Sequence, residues 1–183
     1  MKFKNLEITD IKIIESEIFM DDRGYFFESF NESQFSEIIN DRICFVQDNQ
    51  SFSKKNVLRG LHFQSFPMGQ GKLIRAITGE IFDVAVDLRK SSNTYGKWVS
   101  YILTGEKNDQ IWIPEGFAHG FYSLKDSIVQ YKTTKPYSPK HENSIKWNDP
   151  ILAINWLIKD CEPIISEKDQ SSDFFDFDNT YFN

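Results

Sequence analysis

The sequence predicts a mainly β protein built as a double-sheet jelly roll, with a short helix near residue 35 and a short helical or irregular C-terminal segment. Three observations predict it. From about residue 44 to 133 the chain is almost wholly strand-type runs separated by Gly, Asn and Asp turns. No apolar pattern of helical period longer than the one near residue 35 occurs before residue 150. The 17 Phe, 7 Tyr and 4 Trp favour strands, and a sugar- or base-binding cleft uses aromatics too.

Residues 1–30 read as short strands around the turn Met20-Asp21-Asp22-Arg23-Gly24, followed by the run Tyr25-Phe26-Phe27-Glu28-Ser29-Phe30. Asn31 has the character of an N-cap, with Gln34 three residues later and Phe35, Ile38 and Ile39 on one face. That predicts a helix of roughly ten residues. Phe82, Val84, Val86 and Leu88 alternate with Ile81, Asp83, Ala85 and Asp87 along a strand entered through Gly79-Glu80. Residues 98–103, 111–113 and 127–133 read as further strands, with a turn over 104–109. The tail ends in Asp173-Phe174-Phe175-Asp176-Phe177-Asp178, too acidic and aromatic for a flexible spacer. With no internal repeat and no linker in view, residues 1–183 read as one domain.

A net charge of −6 argues against nucleic acid or an anionic membrane as the main partner. Any anion site is then a local cluster of cations, and Arg59 with Lys72 is one candidate. Two cysteines without a CxxC spacing do not make a disulfide framework, which fits a reducing, cytoplasmic compartment. The residues after Met1 lack the apolar core of a signal peptide, and no run is long enough to span a bilayer.

The chemistry concentrates in Val57-Leu58-Arg59-Gly60-Leu61-His62-Phe63-Gln64 and Gln70-Gly71-Lys72. His62, one of three histidines, is a titratable group within a strand-type run and near fixed cations, a pattern that suits proton transfer on an anionic substrate. The alternative is a satisfied core histidine beside a surface arginine. Three further segments complete a candidate set. His119 lies between glycines in Gly116-Phe117-Ala118-His119-Gly120, either a site residue or a turn cap. Tyr131 shares a strand face with Val129 and Thr133, either an acid or a core aromatic, and Tyr137 follows just beyond Pro136. Lys168-Asp169 stands near the C-terminus. A histidine oriented by a carboxylate is a general base, a tyrosine can return a proton, and a lysine can stabilise an oxyanion. Together they are the parts for enolisation α to a carbonyl. Strict alternation puts Arg59 and His62 on opposite strand faces, so both reach one pocket only if Gly60 hosts a bulge.

A metal site competes with this reading. A cupin metal site wants two histidines one residue apart, a carboxylate and a later histidine. Here Phe63-Gln64 follow His62, and His62 with His119 alone make no convincing shell; no metal is expected. His141, in Ser138-Pro139-Lys140-His141-Glu142, reads as solvated.

At these residues the chain resembles the dTDP-4-dehydrorhamnose 3,5-epimerase family. The runs that carry the resemblance lie in order at 23–28, 47–49, 57–64, 70–72, 83–87, 113–121, 131–132, 137–139, 147–150 and 166–169, and it extends from about residue 8 to 170. It implies a homodimeric, cupin-type jelly roll that needs neither metal nor cofactor. The implied substrate is dTDP-4-dehydro-6-deoxy-D-glucose, epimerised at C3 and C5 on the route to dTDP-L-rhamnose. By resemblance His62 is the base, Asp169 orients it, Tyr131 is the acid on the opposite face and Lys72 stabilises the enolate oxygen. His119 lines the sugar site, while Gln47, Asp48, Asn49, Arg59, Tyr137, Glu142 and Lys168 hold the nucleotide sugar. Arg23 and Glu28 reach in from the partner subunit. The chain departs from the family's pattern at Leu157, where a proline usually follows the tryptophan, at Asn93, and at Pro136, near the expected base pocket. Three other readings stay open at this stage. They are a relative acting at one carbon or on another 4-keto sugar nucleotide, a metal-dependent oxygenase, and a non-catalytic binding module.

Overall fold

Strand β1 (Lys2–Asn5) opens the chain, followed by β2 (Lys12–Glu15), β3 (Phe19–Asp21), β4 (Gly24–Phe26) and helix α1 (Glu32–Ile39). Next come β5 (Gln47–Ser53), β6 (Leu58–Gln64), β7 (Lys72–Thr78), β8 (Glu80–Asp87) and β9 (Trp98–Thr104). The last elements are β10 (Gln110–Ile113), β11 (Phe117–Ser123), β12 (Ser127–Thr133), β13 (Glu142–Ser144) and the short helix α2 (Glu167–Gln170). The structure is a computed structural model and describes residues 1–159 and 161–182.

Two antiparallel sheets face each other: six strands in the order β1-β2-β10-β7-β12-β5, and five in the order β13-β6-β11-β8-β9. β3 and β4 form a separate hairpin. This is the expected double-sheet jelly roll. Ile13, Ile74, Ala76, Ile111 and Val129 of one sheet meet Ile81, Ala85, Val99, Leu103 and Phe121 of the other, and fill the space between them.

Both sheets are also covered over part of their outer faces. On the six-stranded sheet, α1 lays Phe35 against Ile14, Leu73 and Trp112. Its Asn31 cap accepts a hydrogen bond from the Gln34 N–H at 3.2 Å, as the sequence predicts, and Asn40 ends the helix in the left-handed region. The helix has 8 residues, slightly fewer than its pattern suggests. On the five-stranded sheet, Leu58, Leu61, Phe63, Phe82, Val84 and Val86 are sealed by the tail through Leu152, Trp156 and Phe175. Buried Asp149 anchors that tail, accepting from the N–H groups of Ile151 and Leu152, each at 2.8 Å, and of Phe175 at 2.7 Å. Leu157, which replaces a proline of the family pattern, sits at φ 59°, a conformation the proline ring forbids.

The irregularity expected at Gly60 is present. His119 pairs with His62 and Phe121 with Arg59, so Gly60 and Leu61 oppose the single residue Gly120. That bulge returns Arg59, His62 and Gln64 to the inner face, while Leu58, Leu61 and Phe63 stay in the outer layer. Gly60 is at φ +119°, and a Cβ there would lie 2.6 Å from Gly120 Cα and 2.8 Å from the His119 carbonyl oxygen. Since neither neighbour is a flexible chain end, we expect Gly60→Ala to lower stability by at least about 2 kcal/mol, read from urea unfolding. A variant as stable as wild type would contradict this geometry.

Candidate active site

Between the sheets, at the end where edge strand β5 turns polar, lies a cavity of about 540 Å³. Alternation turns Gln47, Asn49, Ser51 and Ser53 of β5 inward. The five-stranded sheet contributes Arg59, His62, Gln64, His119 and Glu142; the six-stranded sheet contributes Asn49, Ser51, Lys72 and Tyr131. At its wall, residues 107 positions apart meet: the His62 Nε2–H donates to Asp169 Oδ1 at 2.6 Å. Asp169 Oδ2 accepts from the Gly60 N–H at 3.2 Å, so the bulge and the dyad are one arrangement. Burial pushes the Asp169 carboxyl up, yet the hydrogen bond and charge of His62, the Gly60 N–H and Ser166 outweigh it. The net pKa lies below the ordinary aspartate value, so Asp169 is a carboxylate at neutral pH. His62 Nδ1 has no hydrogen-bond partner among the described residues.

Tyr131 stands on β12, in the sheet opposite His62. Burial pushes its hydroxyl above the ordinary tyrosine range; Arg59 opposes that shift and Glu142 adds to it. The phenol is therefore protonated at neutral pH and able to donate. Lys72 is 8% exposed, and among the described residues its ammonium makes one long hydrogen bond, to the His62 carbonyl at 3.4 Å. Burial pulls its pKa down to about 8, against the opposing fields of Asp83 and Glu142.

A second histidine–carboxylate pair lies beside the first. His119, the cross-strand neighbour of His62, donates from Nε2 to Asp83 Oδ2 at 2.8 Å. Asp83 has no role in the sequence reading. The signal was there: it is a carboxylate flanked on its strand face by Ile81 and Ala85.

Residues 5–176 match the family model described as dTDP-4-dehydrorhamnose 3,5-epimerase. The chain belongs to this family. The dTDP-4-dehydrorhamnose 3,5-epimerase of Pseudomonas aeruginosa is 51% identical over 176 residues, 96% of each chain. The crystal structure of dTDP-4-dehydrorhamnose 3,5-epimerase from Elizabethkingia anophelis has a TM-score of 0.93 at 43% identity, covering 99% of both chains. That of dTDP-6-deoxy-D-glucose-3,5-epimerase from Legionella pneumophila, in complex with dTDP-4-keto-L-rhamnose, has a TM-score of 0.91 at 47% identity. It covers 94% of this chain and 92% of that one. The jelly roll is thus of the cupin type.

The remaining sequence candidates divide by position. Glu142 sits at the mouth of the cavity, where its Oε2 accepts from Lys168 Nζ at 2.6 Å and from the Tyr137 hydroxyl at 2.8 Å. Gln47 Oε1 accepts from the Tyr137 N–H at 2.9 Å, while its amide donates to Asn49 at 2.8 Å. Arg59 is held by Ser53 Oγ at 2.9 Å and the Phe52 carbonyl at 3.1 Å, with no carboxylate partner among the described residues. Asp48 borders the cavity, but its carboxylate takes both bonds from Lys132, at 2.9 and 3.0 Å. Arg23 and Glu28 line no part of this chain's own cavity: Arg23 pairs with Asp21 in the β3–β4 turn, and Glu28 accepts from Asn31. His141, read as solvated, is half-buried and bonded to Ser138 Oγ at 2.7 Å. Among the described residues no three His, Cys, Asp or Glu side chains are grouped so as to hold a metal ion, and no helix is long and apolar enough to cross a membrane.

The depth of Lys72 has a measurable consequence. Its pKa is lower folded, about 8, than unfolded, 10.5, so the unfolded chain binds more protons between those values and stability rises with pH there. From pH 7 to pH 10 we expect wild type to gain about 2 kcal/mol relative to Lys72→Met, compared by urea unfolding. An unchanged difference would mean that Lys72 titrates normally.

Proposed function

We propose that the chain epimerises dTDP-4-dehydro-6-deoxy-D-glucose at C3 and C5 to dTDP-4-dehydro-L-rhamnose, through an enolate and with no cofactor. The observation that carries this is the His62–Asp169 dyad facing Tyr131 across the cavity, with Lys72 between the sheets. The 4-keto group acidifies both neighbouring C–H bonds. His62 Nδ1 takes a proton from one face, the C–H electron pair becomes a carbon–carbon double bond, and the carbonyl electrons move onto O4. The Lys72 ammonium stabilises that oxygen, which is worth most in a site withdrawn from water. Tyr131 returns a proton from the opposite face, inverting the carbon; His62 then gives its proton to solvent and the Tyr131 phenolate takes one back, and the sequence repeats at the second carbon. Asp169 keeps Nε2 protonated and stabilises the imidazolium that forms. His119 lines the sugar, Arg59 and Lys168 take the diphosphate, and Gln47, Asp48, Asn49, Tyr137 and Glu142 hold the remainder of the nucleotide sugar.

The site is completed by a second copy of the chain, which supplies Arg23 and Glu28. The β3–β4 hairpin that carries Arg23 supports this, because it exposes Phe19, Met20, Tyr25 and Phe26, an apolar patch suited to a partner surface. The product would feed cytoplasmic assembly of dTDP-L-rhamnose for cell-surface polysaccharide.

Incubation with the 4-keto sugar nucleotide in deuterated water, followed by NMR, tests the reaction. Deuterium at both C3 and C5 is expected, and none with His62→Ala. Label at a single carbon would make the protein a monoepimerase, and no label would end the enolisation mechanism. We further expect Tyr131→Phe to slow net epimerisation by about 10²-fold or more, typical for loss of a general acid, with a much smaller change in KM. An unchanged rate and product ratio would remove Tyr131 from the mechanism.

A further inference from the structure

Among the described residues, two carboxylates act on Lys72 across the cavity, and they are committed differently. Besides Lys72, the charged and titratable groups lining that space are Asp48 on β5, Arg59 and His62 on β6, His119 on β11, Tyr131 on β12, Tyr137 between β12 and β13, and Glu142 on β13, with Asp83 on β8 buried behind His119. Glu142 is engaged at the mouth by Lys168 and Tyr137. Asp83 is fully buried and uses one oxygen, Oδ2, on His119, while Oδ1 is buried without any hydrogen-bond partner. Lys72 mirrors it: a buried ammonium with three donors, of which only one has an acceptor, at 3.4 Å. An isolated buried charge of either sign is strongly disfavoured, whereas an opposed pair in the same water-poor space offsets much of the cost.

We propose that Asp83 is a positioning residue that acts through two others. Its charge keeps Lys72 an ammonium at the inner end of the cavity, and its Oδ2 fixes the tautomer of His119, leaving Nδ1 towards the sugar. This rests on the enolisation reading, in which Lys72 must be charged to stabilise O4. The negative field of Asp83 is also the foremost influence opposing the downward pull of burial on Lys72.

Asp83→Asn tests the proposal, because the amide oxygen can still accept from His119 while the charge is gone. In wild type the basic limb of the kcat/KM profile is expected near pH 8, where Lys72 loses its proton. In Asp83→Asn we expect that limb to move down by about one pH unit, so that the rate lost at pH 8 is partly recovered at lower pH. A profile lowered by a constant factor with its limb unmoved, or one not altered at all, would overturn the proposal. Urea unfolding at pH 7 gives a reading independent of turnover. Asp83→Asn should raise the unfolding constant about tenfold or more in the wild-type background and less than about threefold in the Lys72→Met background. Equal effects in the two backgrounds would also overturn it. If Asp83→Asn alone does not fold, recovery of folding by adding Lys72→Met supports the charge pairing, and failure of the double variant refutes it. Should wild type not turn over the sugar, the enolisation reading falls, and the unfolding comparison still decides the pairing.

Discussion

The 2.6 Å hydrogen bond between His62 and Asp169 sets the route of the chain's second half. A carboxylate leaves water only if donors meet it, and Asp169 finds the imidazole and the Gly60 N–H. To bring it there, the tail must cross the outer face of the five-stranded sheet and return to β6. The aromatic residues seal that crossing, Asp149 pins both of its ends, and parallel bridges Val57–Ile164 and Ile145–Asp173 fix where it lies. The acidic, aromatic composition of the tail thus serves the site.

The sheets divide the chemistry between them. The five-stranded sheet holds both histidine–carboxylate pairs, brought side by side by the His62–His119 register. The six-stranded sheet holds Lys72 and Tyr131, whose environments push their pKa values apart, one down to about 8 and the other upward from the tyrosine range. Burial causes both shifts, because it disfavours an ammonium and a phenolate alike. The same withdrawal from water that makes Lys72 sensitive to its neighbours leaves Tyr131 reliably protonated. The cavity opens where β5 is an edge strand and can turn Asn49 and Ser51 inward without a further strand to cover them.

What the sequence made legible was whatever depends on local pattern. The Asn31 cap, the alternation of β8 and the turns around Gly24 and Gly79 follow from neighbours along the chain. The pairings were legible only where a residue type betrays them. Asp83 and His119 lie 36 residues apart, and nothing near either one announces the other. Lys72 stands out in the sequence as a candidate cation of the site; only the opposing sheet makes it a buried ammonium. Asp48 shows the converse, since the family resemblance suggests a ligand while cross-strand Lys132 occupies its carboxylate. The candidates Arg23 and Glu28 lie outside this chain's own cavity.

Gly60 joins the legible and the hidden parts. The sequence alone poses a contradiction there, for Arg59 and His62 are three positions apart and cannot share a strand face by alternation. One extra residue resolves it and at the same time performs two other tasks. It keeps Leu58, Leu61 and Phe63 in the outer layer, and it aims the Gly60 N–H at Asp169. Only glycine fits, because the backbone is in the positive-φ region and Gly120 passes too close for a Cβ. The facing residue is glycine for the same reason, since a Cβ on Gly120 would come within 2.8 Å of the Arg59 carbonyl oxygen. The two glycines are therefore one feature: a close backbone crossing that turns Arg59 and His62 to a common side and meets Asp169.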